Sequence, residues 1–194
     1  MSSDRKTGLA PRAIHGHTAD DAYGSPYPPI YNTTTFGFDS TADLLDVIDG
    51  RTRGGLYTRY GLNPTIYALE ETLAGLESAE AAWVFSSGMA ALSALFLTHG
   101  RAGIVCVGDA YGGTLELLGQ QLPGLGLRTH CILGNEGDKL DALLADGVKL
   151  VFFETPTNPT LDIVDIRAMA AKAHAHGARV AIDNTFASPV NQRP

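Results

Sequence analysis

Cysteine, tryptophan and methionine are scarce, with two, one and three copies among 194 residues. Two cysteines cannot build the disulfide framework of a small secreted domain. Cys106 and Cys131 both fall in apolar, strand-like runs, which suits a reducing cytoplasm. Positive charge is also in deficit: 14 Lys+Arg against 21 Asp+Glu give a formal charge of −7 and a pI near 5.2. Such a chain offers no electrostatic footprint for nucleic acid or an anionic membrane, and a small-molecule partner is expected. No apolar run approaches the length of a membrane span, and the polar stretch from Met1 to Arg12 lacks the apolar core of a signal peptide. Neither a Walker A string nor GxGxxG occurs, so a nucleotide site has no comparable support. His15 and His17, like His174 and His176, are two apart, and in a helix such pairs do not face each other, so no metal site is expected.

What is present is the composition of a globular domain, 44% hydrophobic and 18% charged, long enough for one sizeable core. Through about Asp39 the chain carries Pro26, Pro28 and Pro29 and the β-branched stretch after Ile30, which reads as an extended arm. Residues 1–62 are assigned to this arm and an interface segment, and residues 63–194 to the main domain. Asn63-Pro64 reads as an N-cap followed by proline at the first helical position, opening a helix from Pro64 to about Glu77 with Ile66, Leu69, Leu73 and Leu76 as its stripe.

From Ala82 the pattern alternates. Strands are expected at Ala82–Phe85, Ile104–Val107, Arg128–Leu133, Leu150–Phe153 and Arg179–Asp183. Helices are expected from Gly88, over Thr114–Leu122, over Asp138–Ala145 and near Asp165–His176, the last with a stripe of Ile166, Met169, Ala170 and Ala173. Such β-α alternation implies an α/β fold, a mainly parallel sheet covered on both faces.

Several short strings fall at the strand ends of this pattern. Ser87-Gly88-Met89 lies where a strand gives way to a helix, so unpaired N–H groups and the positive helix end meet there, as a phosphate requires. It is equally an ordinary βα turn with a serine cap. Arg59 offers a planar cationic fork and Tyr57 a hydroxyl on the same side of an extended segment, though both also suit a surface. Tyr111, with Gly112 and Gly113 leaving room beside it, presents a flat face at the sheet's C-terminal edge or simply occupies a glycine-rich turn. Asp183 ends an apolar strand, where open α/β sheets place ligand-binding groups, or where a capping acid would also sit.

Together, Tyr57-Thr58-Arg59-Tyr60-Gly61-Leu62-Asn63-Pro64-Thr65, Ser86-Ser87-Gly88-Met89-Ala90-Ala91, Asp109-Ala110-Tyr111-Gly112-Gly113-Thr114, Glu154-Thr155-Pro156-Thr157-Asn158-Pro159-Thr160 and Asp183-Asn184-Thr185-Phe186 occur in the order found in a known family. From about Ile14 onward the chain resembles the Cys/Met-metabolism (trans-sulfuration) enzymes that depend on pyridoxal 5'-phosphate. These include cystathionine γ-synthase, cystathionine lyases, methionine γ-lyase and O-acyl-homoserine sulfhydrylases. The resemblance implies an aspartate-aminotransferase-like, fold-type I domain, incomplete at its C-terminal side, and carbon–sulfur chemistry on an amino-acid substrate. It implies a homodimer or homotetramer in which Tyr57 and Arg59 reach the cofactor phosphate of a neighbouring subunit.

By the same resemblance, Ser87, Gly88 and Met89 cradle the phosphate, and Tyr111 stacks on the pyridine ring and assists proton transfer. Asn158 donates to the phenolic oxygen and Asp183 pairs with the ring nitrogen, while Glu154 and Thr185 support them. Gly113 stands where methionine γ-lyases carry a cysteine, which argues against that branch. The family's Schiff-base lysine follows the aspartate in a Ser-x-Thr-Lys context, whereas Lys6, Lys139, Lys149 and Lys172 all precede Asp183. The expectation is therefore the N-terminal part of a longer enzyme, catalytically inactive by itself. The alternative is a naturally short, non-catalytic module for cofactor binding or dimerisation.

Overall fold

The computed structural model describes residues 8–17 and 23–194; Lys6 lies outside them, as do the rest of 1–7 and 18–22. The chain divides into two compact units, Met1–Val84 and Phe85–Pro194.

In the first unit, helix α1 spans Leu9–His15, inside the stretch read as an extended arm. Helix α2, Thr41–Ile48, is capped by Ser40, whose side chain accepts from the Asp43 N–H. A 3-10 turn at Thr58–Tyr60 ends at Gly61 with φ 80°, a left-handed conformation that glycine adopts without a Cβ penalty. Helix α3 spans Pro64–Glu77 as its capping signal predicts, with the Asn63 side chain accepting from the Thr65 N–H at 2.8 Å. Its apolar stripe is only partly covered: Ala68 is buried, whereas Leu69 is half exposed.

The unit boundary falls after Val84, not after Leu62. Contacts across Leu62 account for this, because α3 is joined to the residues before it. The Tyr67 hydroxyl donates to the Gly54 carbonyl at 3.0 Å, and the Arg53 guanidinium lies 4.4 Å from the Tyr67 ring centre while pairing with Glu71. Buried Asn63 also donates to the Tyr31 carbonyl and to Thr58 Oγ1, both at 3.0 Å.

The run Ala82–Phe85 is not a strand. It joins no strand ladder, and Trp83 is 75% exposed. A strand exists through its ladder, and here the Val84 N–H is taken by the Glu70 carboxylate at 3.2 Å instead.

The second unit begins with helix α4, Gly88–His99. It continues with strand β1, Ile104–Val107, and an unbroken helical stretch made of α5 (Gly112–Glu116), a π-helical segment (Leu117–Gln121) and α6 (Leu122–Gly124). Strand β2 (Thr129–Ile132), helix α7 (Gly137–Ala145), strand β3 (Leu150–Glu154), helix α8 (Ile166–Ala175), strand β4 (Arg179–Asp183) and the short helix α9 (Ser188–Asn191) follow.

The strands pair in the order β2-β1-β3-β4, all parallel. Because side chains alternate across a strand, each strand feeds two cores. Val105, Val107, Val151 and Phe153 meet Leu140 and Leu144 of α7 and Ala173 of α8. Ile104, Cys106, Leu150 and Phe152 meet Phe96 of α4 with Leu117, Leu118 and Leu122. This double burial explains why β1 and β3 read as continuous apolar runs.

The layering also locates a crevice. The chain leaves β1 through α5 on one face of the sheet and leaves β3 through α8 on the other. Since β1 and β3 are neighbours, their C-terminal ends diverge and open a gap, the topological switch point at which open α/β sheets bind ligands.

Candidate functional site

A cleft of about 330 Å³ opens at these strand ends. Eight of the ten residues singled out in the sequence line it: Ser87, Gly88, Met89, Tyr111, Glu154, Asn158, Asp183 and Thr185.

Each part of the wall has a local cause. Ser87 caps α4, its hydroxyl accepting from the Ala90 N–H at 3.1 Å, which leaves the first-turn N–H groups of Gly88 and Met89 without intrahelical partners. A Cβ on Gly88 would meet nothing within 4 Å, so that edge is open space beside unpaired donors. Tyr111, half exposed, precedes α5. A Cβ on Gly113 would stand 2.7 Å from Tyr111 Cε1 and 3.3 Å from Met89 Sδ, so the absent side chain gives the ring its seat.

Glu154 and Asp183 end β3 and β4 as register partners. Glu154 is buried, and its carboxyl accepts from the Tyr111 N–H at 2.7 Å. Burial pushes this carboxyl above the ordinary glutamate range; the N–H of Tyr111 opposes the shift, and the nearby charge of Asp183 adds to it. Asp183 differs in its neighbours. Its Oδ1 accepts from both the N–H and the hydroxyl of Thr185, and Oδ2 has no partner among the described residues.

The loop carrying Asn158 is fastened by buried threonines. Thr155 Oγ1 accepts from the Val164 N–H at 3.0 Å, and Thr157 Oγ1 accepts from the Asp162 N–H at 2.8 Å. Gln192 ties this loop to the segment after β4, donating to the Thr155 carbonyl and to Asn184 Oδ1, both at 2.8 Å.

Leu92, Pro156 and Phe186 also line the cleft and were not singled out in the sequence. Leu92 was legible by its spacing, one helical turn beyond Gly88. Pro156 and Phe186 sit inside strings already noted, masked by their polar neighbours.

Tyr57 and Arg59 belong to the first unit, where they help line a separate hollow of about 360 Å³ with Asn32, Thr33 and Thr34. Thr35 bridges to Tyr57, and the Tyr57 and Tyr60 rings meet edge to face at 5.0 Å. The exposed Arg59 guanidinium has no hydrogen-bond or ion-pair partner among the described residues. Among the described lysines, Lys139 pairs with Glu136, Lys149 donates to the His176 carbonyl and Lys172 pairs with Asp141; none of them lines the cleft.

An open parallel α/β sheet with unpaired helix N–H groups, an aromatic ring and a strand-end carboxylate around its switch-point crevice defines a ligand-binding α/β domain. The residue set suits a phosphorylated, nitrogen-containing aromatic ring, with Asp183 Oδ2 left for a ring N–H. The family model for Cys/Met metabolism PLP-dependent enzymes matches residues 11–194, and the chain belongs to that family, whose cofactor is pyridoxal phosphate.

The chain is 38% identical over 191 residues to an L-methionine gamma-lyase of Pseudomonas deceptionensis, covering 96% of this chain and 48% of that protein. It is 39% identical over 203 residues to a cystathionine gamma-synthase of Mycobacterium tuberculosis, covering 100% of this chain and 50% of that protein. The crystal structure of metB from Corynebacterium glutamicum superposes with a TM-score of 0.87 at 39% identity, over 100% of this chain and 49% of that one. The chain thus spans about half the length of these relatives. Identities of 38% and 39% to a lyase and a synthase do not select a branch.

Proposed function

We propose that this chain carries the cofactor-facing N-terminal part of a pyridoxal-phosphate enzyme that makes or breaks carbon–sulfur bonds in cystathionine, homocysteine or an activated homoserine. The observation that carries the reading is that eight residues from separate stretches of sequence converge on one switch-point cleft. Bound there, pyridoxal phosphate supplies a pyridinium ring that makes the proton at a substrate α-carbon removable.

The residues divide the work. The N–H groups of Gly88 and Met89, with the Ser87 hydroxyl, hold the phosphate at the positive end of α4. Asp183 Oδ2 would pair with the ring nitrogen and hold its proton in place, with Thr185 orienting the carboxylate. Tyr111 would stack on the ring, and Asn158 would donate to the phenolic oxygen. Arg59 and Tyr57 serve the phosphate of a second copy, so the working protein is a cytoplasmic homodimer or homotetramer. The lysine that links the cofactor lies outside Met1–Pro194, and this chain by itself does not turn over substrate.

Borohydride reduction of the chain saturated with pyridoxal phosphate, followed by intact mass and peptide mapping, tests the assignment. The proposal expects reversible binding that Asp183→Ala weakens, with no stoichiometric adduct. A full adduct on a single one of Lys6, Lys139, Lys149 or Lys172 would overturn it.

A further inference from the structure

Glu154 has no direct part in the chemistry proposed for the cleft, yet it is the most deeply buried acid beside it, 4% exposed. It closes β3, and its register partner on β4 is Asp183, so the two carboxyls stand side by side on adjacent strands, whose backbones run about 4.8 Å apart. Its Oε1 accepts the Tyr111 N–H at 2.7 Å, which ties the start of α5 to the end of β3, 43 positions away. That N–H is paired within no helix or strand ladder, and a peptide N–H without an acceptor is costly.

We infer that Glu154 is a positioning residue: it fastens the backbone of Tyr111 to the end of β3, while Asp183 beside it keeps one oxygen without a protein partner. The inference rests on the cleft being the pyridoxal-phosphate site, and it assigns to Glu154 the placing of the stacking ring at the sheet edge. The charge arrangement agrees. Burial raises the Glu154 carboxyl above its ordinary value, the Tyr111 N–H opposes the rise, and Asp183 reinforces it. The titratable groups around Glu154 are Asp183 from β4, the Cys106 thiol from β1 and the Tyr111 phenol. The α4 edge contributes only uncharged residues, Ser87, Gly88, Met89 and Leu92. Because the folded value is raised, Glu154 keeps its proton to higher pH than an exposed glutamate does, and neutralising Asp183 lowers that threshold.

The Tyr111 amide is the reporter. In the nitrogen-15-labelled full chain, with no cofactor added, its resonance is expected to move with a midpoint above the ordinary glutamate value of about 4.3. Asp183→Asn should lower the midpoint. Glu154→Gln should abolish the titration while leaving the resonance near its place, since the amide oxygen accepts the same bond. In the second arm, pyridoxal phosphate is titrated into each variant. Glu154→Leu should weaken binding on the order of tenfold, the effect of leaving the Tyr111 N–H without its acceptor, and Glu154→Gln should recover most of it.

A Tyr111 amide that does not titrate, a titration that survives Glu154→Gln, or equal binding losses in the Gln and Leu variants would each overturn the inference. If Glu154→Leu fails to fold, the glutamine variant still decides, because its titration and its binding are both specified. Failure of the unsubstituted chain to bind the cofactor, with the amide titration intact, would instead count against the proposed function.

Discussion

Gly113→Ala separates stability from cofactor binding in one substitution. The added Cβ would stand 2.7 Å from Tyr111 Cε1, whereas carbon atoms pack at about 3.5–4.0 Å, so ring and methyl must part by about 1 Å. The ring is half exposed and can swing toward solvent, which keeps the cost to the fold small. Position 113 lies in α5, where alanine gains up to about 1 kcal/mol over glycine. Urea unfolding should therefore show unchanged or slightly raised stability. Displacing the ring removes an aromatic contact worth about 0.5–1.5 kcal/mol, a two- to twelvefold rise in the dissociation constant for pyridoxal phosphate. Gly112→Ala is the control, because its Cβ would meet nothing within 4 Å; it should share any helix gain and leave binding alone. Equal affinities for the Gly113→Ala, Gly112→Ala and unsubstituted chains would refute the seat assigned to Tyr111.

Two further expectations concern the sheet. Cys131, exposed on β2, has its thiol lowered to about 7 by a hydrogen bond from Cys106, its register partner on β1, while burial opposes the shift. Alkylation of Cys131 should reach half its limiting rate near pH 7, and Cys106→Ala should move that midpoint upward; an unmoved midpoint would exclude the pairing. Phe96 is fully buried against Phe152, ring centres 5.2 Å apart and perpendicular. Phe96→Ala should cost about 3–5 kcal/mol in urea unfolding, and a loss below 1 kcal/mol would mean that this core is not packed as described.

The sheet was legible because β1 and β3 are buried on both faces and therefore carry uninterrupted apolar residues, Ile104–Val107 and Leu150–Phe153. Helix α3 was legible at both ends because Asn63 and Pro64 fix its start through one hydrogen bond and one fixed torsion. Helix α1 was not, since no side chain caps it. Helix α2 carried a readable signal in Ser40 and Asp43 that the prolines of the arm overshadowed. Ala82–Phe85 shows the limit of apolar content as a guide: whether it pairs depends on a neighbouring backbone, which no local pattern encodes. For the site, the strings around Tyr111, Glu154 and Asp183 marked strand ends, and the string around Ser87 marked the start of α4. The strand order β2-β1-β3-β4 that makes those ends converge is a long-range property. The bond from Tyr111 to Glu154, 43 positions apart, was equally invisible in the sequence.

The most direct test of the account is the nitrogen-15 chemical shift of ring-labelled pyridoxal phosphate bound to the chain, compared between the unsubstituted protein and Asp183→Ala. With Asp183 facing the ring nitrogen, the shift should stay in the pyridinium range at pH values where the free cofactor loses that proton, and Asp183→Ala should return it to the free-cofactor curve. The same shift in both proteins across the titration would contradict the placement of the cofactor in this cleft.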